Sequence, residues 1–181
     1  SVVRQAGCIM LSQFADFLSP PILEHYEFCL PLAYKALCEE DPEIQERALF
    51  SLIAFMEHLD HSGVESLLPD IIQRLVNLLE TSDNKDIQDS AISAIAACAS
   101  AALEQFTPFW EHIVKMLQQL MDVTGELIPL RARALDCVGV ISMAVGKDVF
   151  APYFDYFMNK ALESYHMQND EPILREMAIN F

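Results

Sequence analysis

The chain has few basic residues and no long apolar run. Its 181 residues include 11 Lys and Arg against 27 Asp and Glu, so its formal net charge is −16. A field of this sign repels phosphate backbones, and we expect no direct nucleic-acid binding. No apolar run reaches the roughly 18–20 residues of a membrane span, so we expect no membrane insertion either. The same field attracts basic partners, although solubility alone also explains an acidic surface.

Recognisable catalytic and metal-binding motifs are also missing. The five glycines are scattered, and there is no phosphate-binding glycine loop, GxSxG or HExxH motif. The five cysteines have no CxxC spacing, which favours small buried hydrophobes in a reducing compartment over a disulfide framework. Glu57, His58, Asp60 and His61 lie where a helix is predicted to end, and we interpret them as a solvated terminus. The sequence therefore predicts no enzyme, no cofactor and no metal site.

What the chain does contain is a repeat. Alanines recur at intervals of 42 to 44 residues, each four positions after an aliphatic residue. In a helical sequence, an interval of about 40–47 residues is the signature of HEAT or armadillo repeats. A small side chain is needed where the backbones of antiparallel helices approach closely. The repeat positions are Ala6, Ala48, Ala91, Ala134 and Ala178.

This interval predicts an all-α fold, a right-handed α-α superhelix of about four to five helical hairpins of ~43 residues. We expect one solenoid over residues 1–181. It comprises a partial repeat 1–19, repeats 20–61, 62–105 and 106–146, and a truncated last repeat 147–181. Both ends fall inside helical patterns, so we interpret the chain as a fragment of a longer protein.

Each period divides into two amphipathic helices, A and B. The predicted B helices are 2–18, 42–59, 85–103, 129–145 and 172 to the end. The predicted A helices are 21–37, 64–79, 108–121 and 152–164. Asp41 and Pro42 supply an N-cap and a proline at the first helical position. Turns are predicted at residues 18–20, at residues 61–63 and at residues 146–148.

Three stretches carry a family resemblance. Residues 3–8 (VRQAGC) begin a B helix, and residues 136–150 (DCVGVISMAVGKDVF) lead from a B helix into the next A helix. Residues 106–110 (FTPFW) recur as residues 150–154 (FAPYF). These stretches resemble the central repeats of karyopherin-β nuclear transport receptors of the importin beta-3 type. The resemblance covers essentially the whole chain, and its AVGK segment is the most specific part.

The resemblance implies a non-enzymatic nuclear import receptor that shuttles between cytoplasm and nucleus through nuclear pores. In that family, cargo and the GTPase Ran bind the concave face lined by B helices, and Phe-Gly repeats bind between outer A helices. The implied partners are cargo proteins with basic localisation signals, nuclear-pore Phe-Gly proteins, and Ran-GTP mainly through regions outside this sequence. The alternative is a HEAT-repeat scaffold of a multiprotein complex, like those of phosphatases or chromosome-organising complexes.

If the B helices line the inside, the polar positions opposite their apolar stripe face the cargo. Carboxylates there would bind Lys and Arg through charge-assisted hydrogen bonds, and an aromatic ring would pack against their aliphatic stems. An ordinary solvated helix surface is the alternative. The predicted cargo-binding residues are Glu46, Phe50, Glu57, Asp89, Asp136 and Glu176.

Two further sets have open interpretations. Aromatic residues near the starts of two A helices predict either a groove for Phe-Gly segments or packing between adjacent repeats. They are Phe109, Trp110, Tyr153 and Phe154. Arginines on the B helices interrupt the acidic surface, and we interpret them as members of ion pairs between repeats. They are Arg4, Arg47 and Arg133.

Overall fold

The computed structural model describes residues 2–18, 21–59, 64–166 and 172–180, and these ranges are almost entirely helical. Short 3-10 turns lie at Pro21–His25, Leu103–Phe106 and Gly125–Leu127. The predicted all-α fold of HEAT-type helical hairpins is confirmed. The α-helices are α1 (Val2–Phe17), α2 (Tyr26–Leu37), α3 (Pro42–His58), α4 (Leu68–Thr81), α5 (Lys85–Ala102), α6 (Thr107–Leu120), α7 (Ile128–Val145), α8 (Lys147–His166) and α9 (Pro172–Asn180).

The chain forms two compact units, residues 1–102 and 103–181. In the first unit, B helix α3 packs against B helices α1 and α5. A helix α2 packs on α3, and A helix α4 packs on α5. The Ser51 hydroxyl of α3 donates to the Cys8 carbonyl of α1 at 2.6 Å. Arg74 of α4 donates to the Leu37 carbonyl at the end of α2 at 3.1 and 3.2 Å. Side chain to backbone hydrogen bonds therefore join both the B helices and the A helices.

In the second unit, B helix α7 packs against α6, α8 and α9. Ile128 and Ala132 of α7 bury Leu174 of α9, with Met177 packed at the edge of this cluster. The Tyr156 hydroxyl of α8 donates to the Gln118 carbonyl of α6 at 3.3 Å. The arrangement of the repeats as one solenoid, with the boundaries given above, stays a prediction.

The repeat alanines occupy the most crowded positions of the central B helices. Ala48, Ala91 and Ala134 are fully buried, as expected where helix backbones approach. Ala178 is partly buried, whereas Ala6 is exposed. The regular spacing therefore marks equivalent helix positions, while burial depends on which neighbours each helix has.

Local turn chemistry sets the starts of two B helices. The Asp41 carboxylate accepts a hydrogen bond from the Glu43 amide at 3.1 Å, and Pro42 occupies the first turn of α3. The side chain of Asn84 accepts from the Asp86 amide at 2.9 Å before α5. Each cap satisfies an amide that has no partner inside the helix.

Three A helices begin elsewhere than predicted. Helix α2 begins at Tyr26, after the 3-10 turn Pro21–His25, instead of at residue 21. Helix α8 begins at Lys147 instead of Pro152, so only Gly146 remains of the predicted turn 146–148. Gly146 has φ +81° and ends α7, and Asp148 places an acidic group in the first turn of α8. Pro152 lies past the first turn of α8, so the helix lacks one backbone hydrogen bond to the Asp148 carbonyl there. Helix α4 begins at Leu68 rather than at residue 64. Of the predicted turns 18–20 and 61–63, only Leu18 belongs to the described residues.

The cysteines are mostly buried free thiols. Cys8, Cys29, Cys98 and Cys137 are buried, as predicted, but Cys38 is exposed because it follows the last turn of α2. Complete burial raises the pKa of the Cys98 thiol to about 12. Four of the five cysteines therefore behave as small hydrophobes, and one does not.

Candidate functional site

Three of the predicted cargo-binding residues lie on one face of α3. Phe50 is 41% exposed and Glu57 is exposed, whereas Glu46 is partly buried. Ile44 and Phe55, on the opposite side of the helix, are fully buried. At 1.5 Å per residue, the three side chains cover about 16 Å of helix. The face therefore presents an aromatic ring between two carboxylates.

A groove of about 420 Å³ lies between α1 and α3. The Arg47 guanidinium carbon is 5.9 Å from the centre of the Phe50 ring, which is the distance of a cation–π contact. The groove combines an apolar surface with one basic and one acidic side chain. It is lined by Ile9, Ser12, Gln13, Arg47, Phe50, Ile53, Ala54 and Glu57.

Polar contacts tie α1 to the beginning of α3. Arg4 forms a salt bridge with Glu39 at 2.6 Å, and Gln5 donates to the Glu43 carboxylate at 2.6 Å. Arg4 thus makes an ion pair between successive hairpins, whereas Arg47 lies over Phe50. These contacts occupy Glu39 and Glu43 and hold one end of the groove.

The other predicted carboxylates do not line this groove. Asp89 is partly buried on α5 of the first unit. Its backbone carbonyl accepts a hydrogen bond from the Ser93 hydroxyl at 3.1 Å. Asp136 on α7 is partly buried and Glu176 on α9 is exposed, and both belong to the second unit. The structure therefore brings only Phe50 and Glu57 of the predicted set into one groove.

The aromatic residues of the second unit form a cluster between α6 and α8. The buried Trp110 ring lies 6.0 Å from Phe150 and 5.4 Å, edge-on, from Tyr153. Phe109 contacts Phe106 at 5.9 Å, while Phe154, at the edge, is 46% exposed. Packing between adjacent A helices accounts for Trp110, and a Phe-Gly groove here stays a prediction.

A buried cation was missed by the sequence reasoning. Arg131 of α7 is 2% exposed, and it donates to the Ser164 hydroxyl of α8 at 2.8 and 3.1 Å. The Ser164 hydroxyl in turn donates to the Lys160 carbonyl at 2.7 Å. No spacing rule links residues this far apart, so only the fold reveals the contact.

An exposed ion-pair cluster lies beside this cation. The Lys160 ammonium pairs with Asp122 at 2.8 Å and with Glu163 at 3.1 Å. The hydrogen bond from Lys160 lowers the pKa of Asp122, and the same bond raises the pKa of Lys160. The cluster joins the end of α6 to α8 and belongs to the packing of the second unit.

Two kinds of feature are absent from the described ranges. Within them, no three His, Cys, Asp or Glu side chains are grouped so that they could hold a metal ion. The helices there also lack the length and apolar character needed to cross a membrane. Asp60 and His61 lie outside the described residues.

Comparison with known proteins identifies the family. Residues 12–177 match the family model for importin subunit beta-1-like TPR repeats. The chain belongs to the karyopherin-β (importin-β) family. Probable importin subunit beta-4 of Schizosaccharomyces pombe is 34% identical over 181 residues, which is 99% of this chain. Importin subunit beta-3 of Saccharomyces cerevisiae is 26% identical over 151 residues, 82% of this chain.

Solved karyopherin structures share the fold. The structure of Kap121p bound to the SUMO protease Ulp1p matches with a TM-score of 0.88 and 25% identity. The matched region covers 97% of this chain and 17% of the Kap121p chain. The structure of Kap121p bound to Nup53p gives the same TM-score and coverage at 23% identity. This karyopherin chain thus spans 17% of the beta-4 relative and 14% of the beta-3 relative.

Proposed function

We propose that this karyopherin-β chain acts in nuclear import by binding cargo proteins with basic localisation signals on its exposed B-helix faces. Binding is reversible and involves no chemistry on the cargo. The single observation that carries the proposal is the exposed face of α3, where Phe50 lies between two acidic side chains. Carboxylates there would accept charge-assisted hydrogen bonds from Lys or Arg, and the ring would cover their aliphatic stems.

The proposed site extends over several helices because each exposed ion pair contributes little. One such pair is worth only about 0–1 kcal/mol, so useful affinity requires several in series. Asp89, Asp136 and Glu176 are the further members that we assign to this role. The net charge of −16 supports it by speeding the encounter with basic partners.

The other partners follow from the family. We propose that the whole protein binds Ran-GTP mainly through regions outside this sequence, and that it moves between cytoplasm and nucleus. Phe109, Trp110, Tyr153 and Phe154 are the candidate contacts for nuclear-pore Phe-Gly proteins. The Kap121p complex with Nup53p supports a pore-protein partner for the family.

Binding of a fluorescent Lys-rich peptide to the full chain tests the proposal. We expect the double variant Glu46→Lys/Glu57→Lys to bind roughly tenfold more weakly, because two exposed pairs change from attraction to repulsion. The matched control is Glu104→Lys/Glu111→Lys, which makes the same charge change at exposed positions of the second unit. If both double variants weaken binding equally, the peptide responds only to the net charge of the protein and not to this face of α3. If neither double variant weakens binding, the proposed cargo-binding role of Glu46 and Glu57 is wrong.

The scaffold alternative predicts a different response to nucleotide. In a pull-down with the full-length receptor, Ran-GTP should release the bound basic cargo, whereas Ran-GDP should not. A scaffold would hold its partner in both states. The family membership favours the transport role, and cargo retained in Ran-GTP would favour the scaffold.

A further inference from the structure

The groove between α1 and α3 has charges of both signs, which a surface for purely basic peptides does not require. Arg47 and Glu57 both line it, about 15 Å apart along α3 at 1.5 Å per residue. Between them the α3 side of the wall is apolar, with Phe50 41% exposed and Ile53 and Ala54 beside it. Helix α1 contributes Ile9 together with the polar Ser12 and Gln13. The α3 side of the groove is therefore apolar in its middle and opposite in charge at its ends.

Both charges are available to a ligand. Within the described ranges, no salt bridge involves Arg47 or Glu57. The Arg47 guanidinium lies over the Phe50 ring, which orients it at the rim. Glu43, one turn before Arg47, uses its carboxylate to accept a hydrogen bond from Gln5. Glu46 shares the face of Phe50 and Glu57 but is not among the residues that line the groove.

We propose that this groove binds an internal, extended peptide segment with an apolar side chain at its centre and opposite charges on the two sides. The basic side chain lies toward Glu57 and the carboxylate side chain toward Arg47. This inference rests on the proposed function. It specifies that the cargo segment bound in this groove carries both a basic and an acidic side chain, instead of basic side chains alone. An extended chain rises about 3.3 Å per residue, so charges four residues apart match the two ends.

Arg47 is the residue that sets this preference. A doubly basic segment would place its second ammonium beside the Arg47 guanidinium, whereas a mixed segment places a carboxylate there. The groove is open to solvent, so each attraction or repulsion changes affinity by about fivefold at most. The apolar centre contributes equally to both peptides, because it buries the same surface against Phe50 and Ile53.

Three amidated and acetylated peptides with the cores Lys-Ser-Leu-Ser-Glu, Lys-Ser-Leu-Ser-Lys and Glu-Ser-Leu-Ser-Glu test the inference by fluorescence anisotropy with the full chain. The mixed-charge peptide should bind about fivefold more tightly than the doubly basic one. In the Arg47→Glu variant this order should invert. Lys115→Glu makes the same charge change at an exposed position of α6 and should leave the order unchanged.

A second variant separates the apolar centre from the charges. Phe50→Ala should weaken all three peptides, whereas Phe28→Ala, which removes a 72% exposed ring from α2, should weaken none. Tighter binding of the doubly basic peptide by both the original chain and Arg47→Glu would overturn the inference and leave the proposed function intact. If the chain binds neither these peptides nor a long Lys-rich signal, the proposed function fails as well. Thermal unfolding of each variant shows that the fold is retained.

Discussion

Two residues end helices with positive φ, and only one of them is a glycine. Leu103 has φ +51° directly after α5, and Gly146 has φ +81° directly after α7. The left-handed region costs a residue with a Cβ roughly 1–2 kcal/mol, whereas glycine adopts it freely. Gly146, with ψ 166°, lies in a region that is essentially restricted to glycine. Leu103 adopts a positive φ although its Cβ disfavours it.

Leu103→Gly is therefore expected to change stability little, although it removes a large side chain. The Leu103 side chain is 49% exposed, so its removal forfeits about 1 kcal/mol of burial. Relief of about 1–2 kcal/mol of strain offsets this loss and the extra chain entropy of glycine, so the free energy of unfolding should stay within about 0.5–1 kcal/mol of its original value. Urea denaturation followed by circular dichroism measures it.

Replacing glycine by alanine at the other helix end provides a comparison for the free energy of unfolding. Gly146→Ala should lower the free energy of unfolding by about 1–3 kcal/mol, because an added Cβ meets no atom within 4 Å but the backbone at φ +81°, ψ 166° is strained for alanine. Gly7→Ala, inside α1 and equally uncrowded, should raise it by about 0.5–1 kcal/mol. A Leu103→Gly protein that is less stable by about 2 kcal/mol, the sum of lost burial and glycine entropy, would show that position 103 is not strained.

At the scale of helices, the second unit depends on a buried cation between α7 and α8. The Arg131 guanidinium donates twice to Ser164, whose hydroxyl also bonds the Lys160 carbonyl. Burying a charged group without hydrogen bonds is costly, so this hydroxyl is what allows Arg131 to be 2% exposed. The pair therefore fixes how these two helices pack.

Ser164→Ala should accordingly destabilise the protein by about 1.5–3 kcal/mol, the range for hydrogen bonds to charged groups. Ser93→Ala on α5 is the matched control, because Ser93 also donates to the carbonyl one turn earlier but is only partly buried. It should change stability by less than about 0.5 kcal/mol. Equal effects of the two substitutions in urea denaturation would mean that the Arg131 contact contributes nothing.

Helix bounds are predictable where they depend on nearby residues. Helix α3 spans Pro42–His58, within one residue of its predicted range, because Asp41 and Pro42 set its start locally. Helix α8 begins five residues earlier than predicted, since proline at position 152 suggests a start that the structure does not use. A proline marks a permitted helix start and does not require one.

For the whole molecule, the repeat interval was sufficient to predict the fold, but not the side chains that meet in it. Ile9 and Phe50 line the same groove because of how α1 packs on α3, which no local pattern specifies. Arg131 and Ser164 are 33 positions apart, so their hydrogen bond is equally invisible in the sequence. Helix geometry alone predicted an ion-pair role for Arg47 and did not predict its position over Phe50 in the groove.

The reactivity of the cysteine thiols depends on the helix packing in both units. Cys8, Cys29 and Cys98 are buried in the first unit and Cys137 in the second, while Cys38 is exposed. Burial raises the pKa of the Cys8, Cys29 and Cys98 thiols, the last to about 12, so these three form little reactive thiolate near neutral pH.

The native protein should therefore show one thiol that reacts fast with a disulfide reagent at about pH 8. Cys38→Ser should abolish that fast phase, and the original chain in guanidinium chloride should show five reactive thiols. Two or more fast thiols in the native protein would contradict the packing described for the helices that bury them.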